Sequence, residues 1–377
     1  KRDQFRRVVR YLKKWKNYKF SNTGHTNPPS IGITIITVDN FTYYEGDDLN
    51  ALINIVNKII DKFIFVGTNG TGRYLYRIKL SLPSSLKFKF QNDVFEKMSD
   101  AQLTDFKDKI EIAKVIPKKK FLNDEKIIWQ FWGQGWDYEN LPNVVKICYR
   151  AMNKYRENYT LIRLDMENIG EYLEFPDYVM KKLSEKKMGY AHFTDILRFS
   201  LLKYYGGVWI DATILLTDYL PSEYFKMDYF LFQRDGDFKN KKEFELYDSI
   251  YFSWNKKSKI KMLSSIIFSH KNNKIMATLL DLLLVFWRDN DKIPNYFFMQ
   301  ILYTELVEKY YRKDRCKIVS DTLPHELFKV WFETYSKEKL KKITDSVSIH
   351  KLSFKIDSSK KKVENTFFEY FKNLYEI

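Results

Sequence analysis

The chain has 377 residues with 45% hydrophobic content, a globular composition long enough for more than one domain with cores of its own. A formal net charge of +16 at pH 7 favours anionic partners (nucleotides, nucleic acid or acidic lipid headgroups) without choosing among them. Cys148 and Cys316 are the only cysteines, which excludes a disulfide framework and suits a reducing compartment, and no apolar run reaches the length of a bilayer span. The first residues carry no signal-peptide pattern. A start at Lys1 rather than Met is expected of a piece of a longer chain.

In Lys1–Lys19 nine Lys and Arg stand against one acid, Asp3, while Phe5, Val8, Val9, Leu12 and Trp15 recur at helical spacing. This is a basic amphipathic helix, which either packs on a core with a solvated face or offers that face to phosphate or membrane. Ser30–Val38 is a β-branched run, strand-like by propensity, behind a Pro28-Pro29-Ser30 entry that suits a helix. Asp47–Asp61 reads as a helix with Leu49, Leu52, Ile53, Val56, Ile59 and Ile60 on its apolar side. Thr68–Arg73 is a turn and lacks the spacing of a phosphate loop. Pro117–Asp124, basic and polar, is the expected junction between domains. Lys126–Trp136, KIIWQFWGQGW, predicts a strand running into a Gly-containing loop, with Trp129, Trp132 and Trp136 candidates to stack on a base or a sugar. Pro142 opens a helix through Tyr155, Leu161–Asp165 is a second strand, and Tyr172–Lys187 is expected to be helical.

Ala191–Thr213, AHFTDILRFSLLKYYGGVWIDAT, holds most of the functional information. Phe193–Tyr205 has helical spacing, and Asp195 and Arg198, three apart, share a face. Gly206-Gly207 ends that helix, Val208-Trp209-Ile210 follows as a short buried strand, and Asp211 stands at its carboxyl end, where open α/β sheets bind ligands. Two carboxylates and a guanidinium are thereby directed to one cleft, a set able to hold sugar hydroxyls and phosphate. The same spacing also suits a surface ion pair worth about 0.3–0.5 kcal/mol followed by a simple strand-end turn. Further on, Tyr229–Phe232 reads as a strand, Tyr251–Asn255 and Met262–Ser269 as a strand pair, and Asn272–Trp287 and Tyr296–Tyr310 as helices. Ser320–Leu327 and Ser348–Leu352 bring polar groups, Asp321, His325 and His350 among them, late in the chain. His25, His192 and His270 make no metal spacing with these, and the tail from Val363 is an amphipathic helix.

The form TDILRFSLLKYYGGVWIDAT, with IIWQFWGQGW upstream, resembles sugar-nucleotide glycosyltransferases related to yeast mannosyltransferases and clostridial glucosylating toxins, and more narrowly the bacterial capsular polysaccharide synthesis proteins. The resemblance covers roughly Lys126–Lys355. It implies an α/β fold, a GT-A-like nucleotide-sugar-binding domain with a Rossmann-like central sheet at residues 126–356; around it the expected division has a mainly helical lobe at 1–115, a junction at 116–125 and a C-terminal helix at 357–377. It implies transfer of a sugar from a nucleotide-diphosphate donor to a hydroxyl of a growing capsular or surface polysaccharide, the acceptor being a glycan or lipid-linked glycan. Asp195, Arg198 and Asp211 would be catalytic, and Trp129, Gln130, Trp132, Gly206, Gly207 and Thr213 would contact the donor. The expected location is cytoplasmic, peripheral to the inner face of the plasma membrane with contact to anionic lipid, and no specific nucleic acid is expected. Many relatives carry Asp-x-Asp, whose second Asp ligates Mn²⁺ or Mg²⁺. Here the triplet is Asp211-Ala212-Thr213, and a hydroxyl is a poorer ligand for a hard cation. A metal, if held, is expected on Asp211 with Asp321 and His350.

A second resemblance lies upstream. FSNTGHTNPPSIGITIITVDNFTYYEGDDLNALINIVNKII, between RRVVRYLKKWK and DVFEKMSDAQLTDFKDKIE, is similar to the C-terminal half of bacterial cyclic-oligonucleotide synthases. It implies a helical lobe without its catalytic half, and a helix rather than a strand from Ser30. A natural fusion and a broken reading frame both produce such a junction. Two functions compete with glycosyl transfer: an antiphage nucleotidyltransferase fragment, and a non-enzymatic glycan-binding protein suggested by the charge and the aromatics.

Overall fold

Apolar residues at helical spacing shape the N-terminal part of the chain. A computed structural model describes residues 1–20, 27–80, 93–111, 113–121, 126–355 and 364–377; His25, residues 122–124 of the expected junction and Val363 lie outside them. The chain divides into two compact units, Lys1–Ala113 and Lys114–Ile377. In the first, α1 (Arg2–Lys19) buries Val8, Val9 and Leu12. The β-branched run forms α2 (Ser30–Asn40), in which the Thr34 and Thr37 hydroxyls donate to the Ser30 and Ile33 carbonyls at 2.9 and 2.7 Å. Local bonds of this kind let threonine sit in a helix despite its strand preference. Helix α3 (Asp48–Ile60) is capped by the Asp47 carboxylate, which accepts from the Asn50 amide at 2.9 Å. Strands β1 (Ile64–Thr68) and β2 (Tyr74–Arg77) form an antiparallel hairpin, its turn held by the Asn69 side chain, and α4 (Asp100–Ile110) starts at a Ser99–Gln102 capping box. Leu12, Ile33, Ile36, Ile55, Ile59, Leu103 and Phe106 make the core of this unit.

The second unit is built on a mixed sheet. In chain order its strands are β3 (Ile116–Pro117), β4 (Ile127–Phe131), β5 (Thr160–Leu164), β6 (Leu173–Glu174), β7 (Gly207–Ile210), β8 (Ile214–Leu216), β9 (Tyr229–Phe230), β10 (Ile266–Ser269) and β11 (Ile349–Lys351). Its helices are α5 (Asn143–Tyr155), α6 (Asp177–Ser184), α7 (Tyr190–Tyr204), α8 (Ser222–Phe225), α9 (Lys241–Tyr247), α10 (Lys274–Asp289), α11 (Phe298–Lys309), α12 (Glu326–Lys329), α13 (Lys337–Ser346) and α14 (Phe367–Leu374). The central sheet runs β5-β4-β7-β10-β9, with β4 parallel to β5 and β7, and β10 antiparallel to β7 and β9. All of β4 is buried, as an interior strand covered on both faces must be. On one face Ile128, Val208 and Phe268 pack with Met152 of α5; on the other Phe131 meets Phe193 of α7, ring centroids 6.1 Å apart. Strands β8 and β11 form a separate antiparallel pair, and Phe367 and Phe371 of α14 join a core with Val144 and Cys148 of α5.

Three expected elements differ. The helix expected over Tyr172–Lys187 begins only at Asp177, because Pro176 holds φ at −54° in the N-cap and keeps the residue before it out of helical geometry; Leu173–Glu174 pairs with β3 instead. Tyr251–Asn255 is not a strand, since the Tyr251 and Ser253 carbonyls accept from the Arg234 guanidinium, each at 3.0 Å, in place of a neighbouring backbone. The Tyr229–Phe232 strand is in the ladder only at its first two residues.

The Gly206-Gly207 turn sets how closely α7 can return into the sheet. Both residues have positive φ, +74° and +94°, and a Cβ on Gly207 would lie 2.5 Å from the Ile127 carbonyl oxygen of β4. Gly207→Ala is therefore expected to cost about 3 kcal/mol through backbone strain and overpacking. Chemical denaturation measures it; a loss below about 1 kcal/mol would mean that β4 and β7 part without penalty.

Candidate active site

The helix–glycine–strand hairpin levels its two ends. From Gly206 back to Arg198 is about 12 Å of helix, and from Gly207 forward to Asp211 about 13 Å of strand, so the two side chains meet over the carboxyl end of β7. There Arg198 Nη1 lies 3.1 Å from Asp195 Oδ1 and Nη2 lies 3.6 Å from Asp211 Oδ1. Asp195 and Arg198 are buried, at 8% and 5% exposure. Trp209 donates its indole N–H to Asp211 Oδ1 at 2.7 Å and presents its ring to the guanidinium, 5.3 Å from centroid to Cζ. Burial raises the Asp195 carboxyl from 3.8 to about 7; Arg198 opposes the shift and the charge of Asp211 adds to it.

These groups face a cleft of about 550 Å³. The end of β4 contributes Trp132, the first turns of α7 contribute Tyr190, His192 and Thr194, and the residues ahead of β10 contribute Ser264 and Ser265. Tyr251, Tyr296 and Gln300 also line it. Strands β4 and β7 are parallel, so both deliver residues at their carboxyl ends, as open α/β sheets do at ligand sites.

Of the residues expected at the donor, Trp132 and Thr213 line this cleft together with Asp195, Arg198 and Asp211. Trp129 and Gln130 do not, and those two expectations are corrected. Trp129 is fully buried, donates to the Gly206 carbonyl at 2.9 Å and packs against Tyr172 and Tyr205. Gln130 is buried too, its amide oxygen accepting from Arg163 Nε at 3.2 Å. Strand residues alternate faces, and both are inside the sheet's covering layers. Gly206 and Gly207 shape the turn and do not line the cleft.

The expected metal set also separates. Asp321 is completely buried, taken up by a bidentate Arg234 at 2.9 and 3.0 Å and by the Tyr251 hydroxyl at 3.0 Å. His350 is completely buried with Nε2 2.9 Å from the Thr217 hydroxyl, and burial lowers it to about 3, so it is neutral. Among the described residues no three His, Cys, Asp or Glu side chains are grouped to hold a metal.

Lys351 is the site residue that the sequence did not disclose. Its Nζ donates to Thr213 Oγ1 at 2.5 Å and lies 3.9 Å from Asp211 Oδ2. It stands 138 positions from Thr213, with nothing local to mark it. Its neighbour His350 was the expected residue of that strand. Alternation sends His350 inward to Thr217 and Lys351 into the cleft.

A model of the family described as capsular polysaccharide synthesis protein matches residues 79–371. That match begins inside the first unit, and it does not show the expected kinship of residues 1–115 with cyclic-oligonucleotide synthases. The O-glycosyltransferase braB of Annulohypoxylon truncatum is 28% identical over 111 residues, 27% of this chain and 26% of that protein, so the chain spans about a quarter of that relative's length. The solved PaToxG glycosyltransferase aligns at 15% identity and a TM-score of 0.32, over 66% of this chain and 87% of its own. The apo-form glycosyltransferase GlyE of Streptococcus pneumoniae TIGR4 aligns at 10% identity and 0.35, over 68% and 61%.

The raised Asp195 carboxyl has a sign that can be measured. Between pH 3.8 and about 7 the folded state keeps a proton that the unfolded chain has released, so this group's contribution to stability falls as pH rises through that window and is level on either side. Asp195→Asn, which mimics the protonated form, is expected to abolish that component. Thermal melts of both proteins from pH 4 to 8 should show the variant gaining on the wild type as pH rises. Parallel curves would mean that Asp195 is ionised at its ordinary value.

Proposed function

Because the chain belongs to the capsular polysaccharide synthesis protein family, we propose that its cleft transfers a sugar from a nucleoside diphosphate donor to a hydroxyl of a growing surface glycan, on a GT-A-type nucleotide-sugar-binding domain. The observation that carries this reading is the Asp195–Arg198–Asp211 cluster, its first two members buried, on the wall of an aromatic-lined cleft at the carboxyl end of the sheet. Carboxylates accept from sugar hydroxyls, aromatic faces cover the apolar side of a sugar or a base, and a guanidinium meets phosphate oxygens. As the glycosidic bond to phosphate breaks, charge grows on the departing diphosphate, and positioned cations lower the barrier by meeting it. Arg198 is suited to that role: its Nε–H is buried without a hydrogen-bond partner, although both Nη atoms face carboxylates. Among the described residues no helix is long and apolar enough to cross a membrane.

The same residues do not fit a resident Mn²⁺ or Mg²⁺. The carboxylate that would ligate it, Asp211, has Arg198 at 3.6 Å on one oxygen and Lys351 at 3.9 Å on the other. A divalent ion on that second oxygen would have to share it with the Lys351 ammonium, whose like charge would repel it. Thr213 adds a hydroxyl and no charge to offset this.

The test is a screen of UDP- and GDP-hexoses for release of nucleoside diphosphate. The wild type should turn over at least one, and Arg198→Ala should lose about 10²–10³-fold in turnover, the scale of one lost oxyanion donor. Arg198→Lys, which keeps the charge but not the fork, should fall between them. An Arg198→Ala protein that is folded by circular dichroism and turns over normally would remove Arg198 from the mechanism.

A further inference from the structure

Lys351 is placed by backbone, not by chance of a flexible side chain. β11 pairs antiparallel with β8 in the register Lys351↔Ile214, and the Leu352 amide donates to the Thr213 carbonyl at 2.9 Å. β11, the partner of the strand that follows Asp211-Ala212-Thr213, therefore carries Lys351 beside that triplet. Its side chain is 24% exposed, its ammonium bonds Thr213 at 2.5 Å and faces Asp211 at 3.9 Å, and it lines the cleft. An ammonium has three N–H donors; Thr213 takes one, and the separation from Asp211 is that of an ion pair and not of a hydrogen bond.

Thr213 matters for what it lacks. A carboxylate at that position would neutralise Lys351; a hydroxyl accepts its hydrogen bond and leaves the charge available to a ligand. Asp211 has its own compensation in Arg198 and in the Trp209 N–H. The cleft thus has a partly buried cation beside the Asp211-Ala212-Thr213 triplet.

We propose that Lys351 is the built-in counter-cation of the donor diphosphate, so that this chain binds nucleoside diphosphates and transfers sugar without a divalent ion. The proposal rests on the glycosyltransferase reading above and deepens it. In the transfer step the bond from the anomeric carbon to the phosphate oxygen breaks with its electron pair going to that oxygen. The acceptor oxygen bonds the anomeric carbon, and its proton passes to the departing phosphate oxygen or to water. Until that proton arrives the leaving oxygen carries the added negative charge, which Lys351 and Arg198 meet together. Asp211 is then a positioning residue that holds the two cations apart and aimed into the cleft. Burial lowers the Lys351 ammonium below its ordinary value while Asp211 opposes the shift, and the charge of an arriving phosphate would oppose it further.

Binding calorimetry on the full chain tests this with UDP, GDP, CDP and ADP as probes, each in excess EDTA and again with Mn²⁺. At least one diphosphate should bind, with affinity changed less than about 2-fold between the two conditions. Lys351→Met should weaken that diphosphate by at least about 10-fold, the loss of one charge-assisted hydrogen bond, and leave binding of the parent nucleoside unchanged. The electron paramagnetic resonance signal of free Mn²⁺ should persist in the presence of the apo protein. Loss of wild-type binding in EDTA, quenching of the Mn²⁺ signal by apo protein, or a Lys351→Met protein that binds as tightly as wild type would each overturn the proposal. Should the variant fail to fold, the wild-type comparison between chelator and Mn²⁺ still decides it. Absence of binding by all four diphosphates in both conditions would overturn the sugar-nucleotide reading itself, and this inference with it.

Discussion

Arg198 held between Asp195 and Asp211 joins a helix to the end of a strand, and the cleft takes its form from that junction. One guanidinium shared by two carboxylates removes most of the repulsion that would otherwise separate them. Burial makes the arrangement strict. Truncating one member of a buried ion cluster leaves the others uncompensated, at a cost of roughly 3–5 kcal/mol. The ring of Trp209 under the guanidinium and its N–H on Asp211 fix the remaining freedom, so a strand residue from the same hairpin supports both partners.

The opposite wall has a similar device. Arg234 forks onto Asp321, donates to the Tyr251 and Ser253 carbonyls, and lies against the rings of Tyr251, Phe252 and Trp254. Because Asp321 also accepts from the Tyr251 hydroxyl, and its carbonyl accepts from or faces His325 Nδ1 at 2.7 Å, this buried pair positions two cleft-lining rings. Burial lowers His325 to about 4, so it stays neutral and its Nδ1–H serves that carbonyl. The two ion clusters have different work. The Arg198 cluster lines the cleft, and the Arg234 cluster consumes its donors internally.

Backbone continuity explains why the first cluster gains a second cation. Strand β7 leaves the central sheet at Ile210, turns through Asp211-Ala212-Thr213 and re-enters pairing as β8 with β11. The turn is consequently fixed at both ends, and the partner strand brings Lys351 to it. Position 213 then decides the electrostatics: with a hydroxyl there, no second carboxylate compensates the Lys351 ammonium.

Several elements were determined by local sequence. The helix–Gly-Gly–strand hairpin followed from helical spacing, from two glycines able to take φ of +74° and +94°, and from a short apolar run, and it carried Asp195, Arg198 and Asp211 with it because they are neighbours along the chain. Apolar spacing likewise marked α3, and turn composition the Asn69 turn. The β-branched run at Ser30 was ambiguous in propensity, and internal bonds from Thr34 and Thr37 show how a helix accommodates it. What propensity misjudged was settled by distant partners. Trp129 and Gln130 became core because their strand is covered on both faces, Tyr251–Asn255 lost its strand to the guanidinium of Arg234, and Asp321 was claimed by that same arginine. Lys351 belongs wholly to tertiary structure. Its charge acts at Thr213, 138 residues away, through a strand register that no local pattern encodes, since a shift of one residue would have presented His350 in its place.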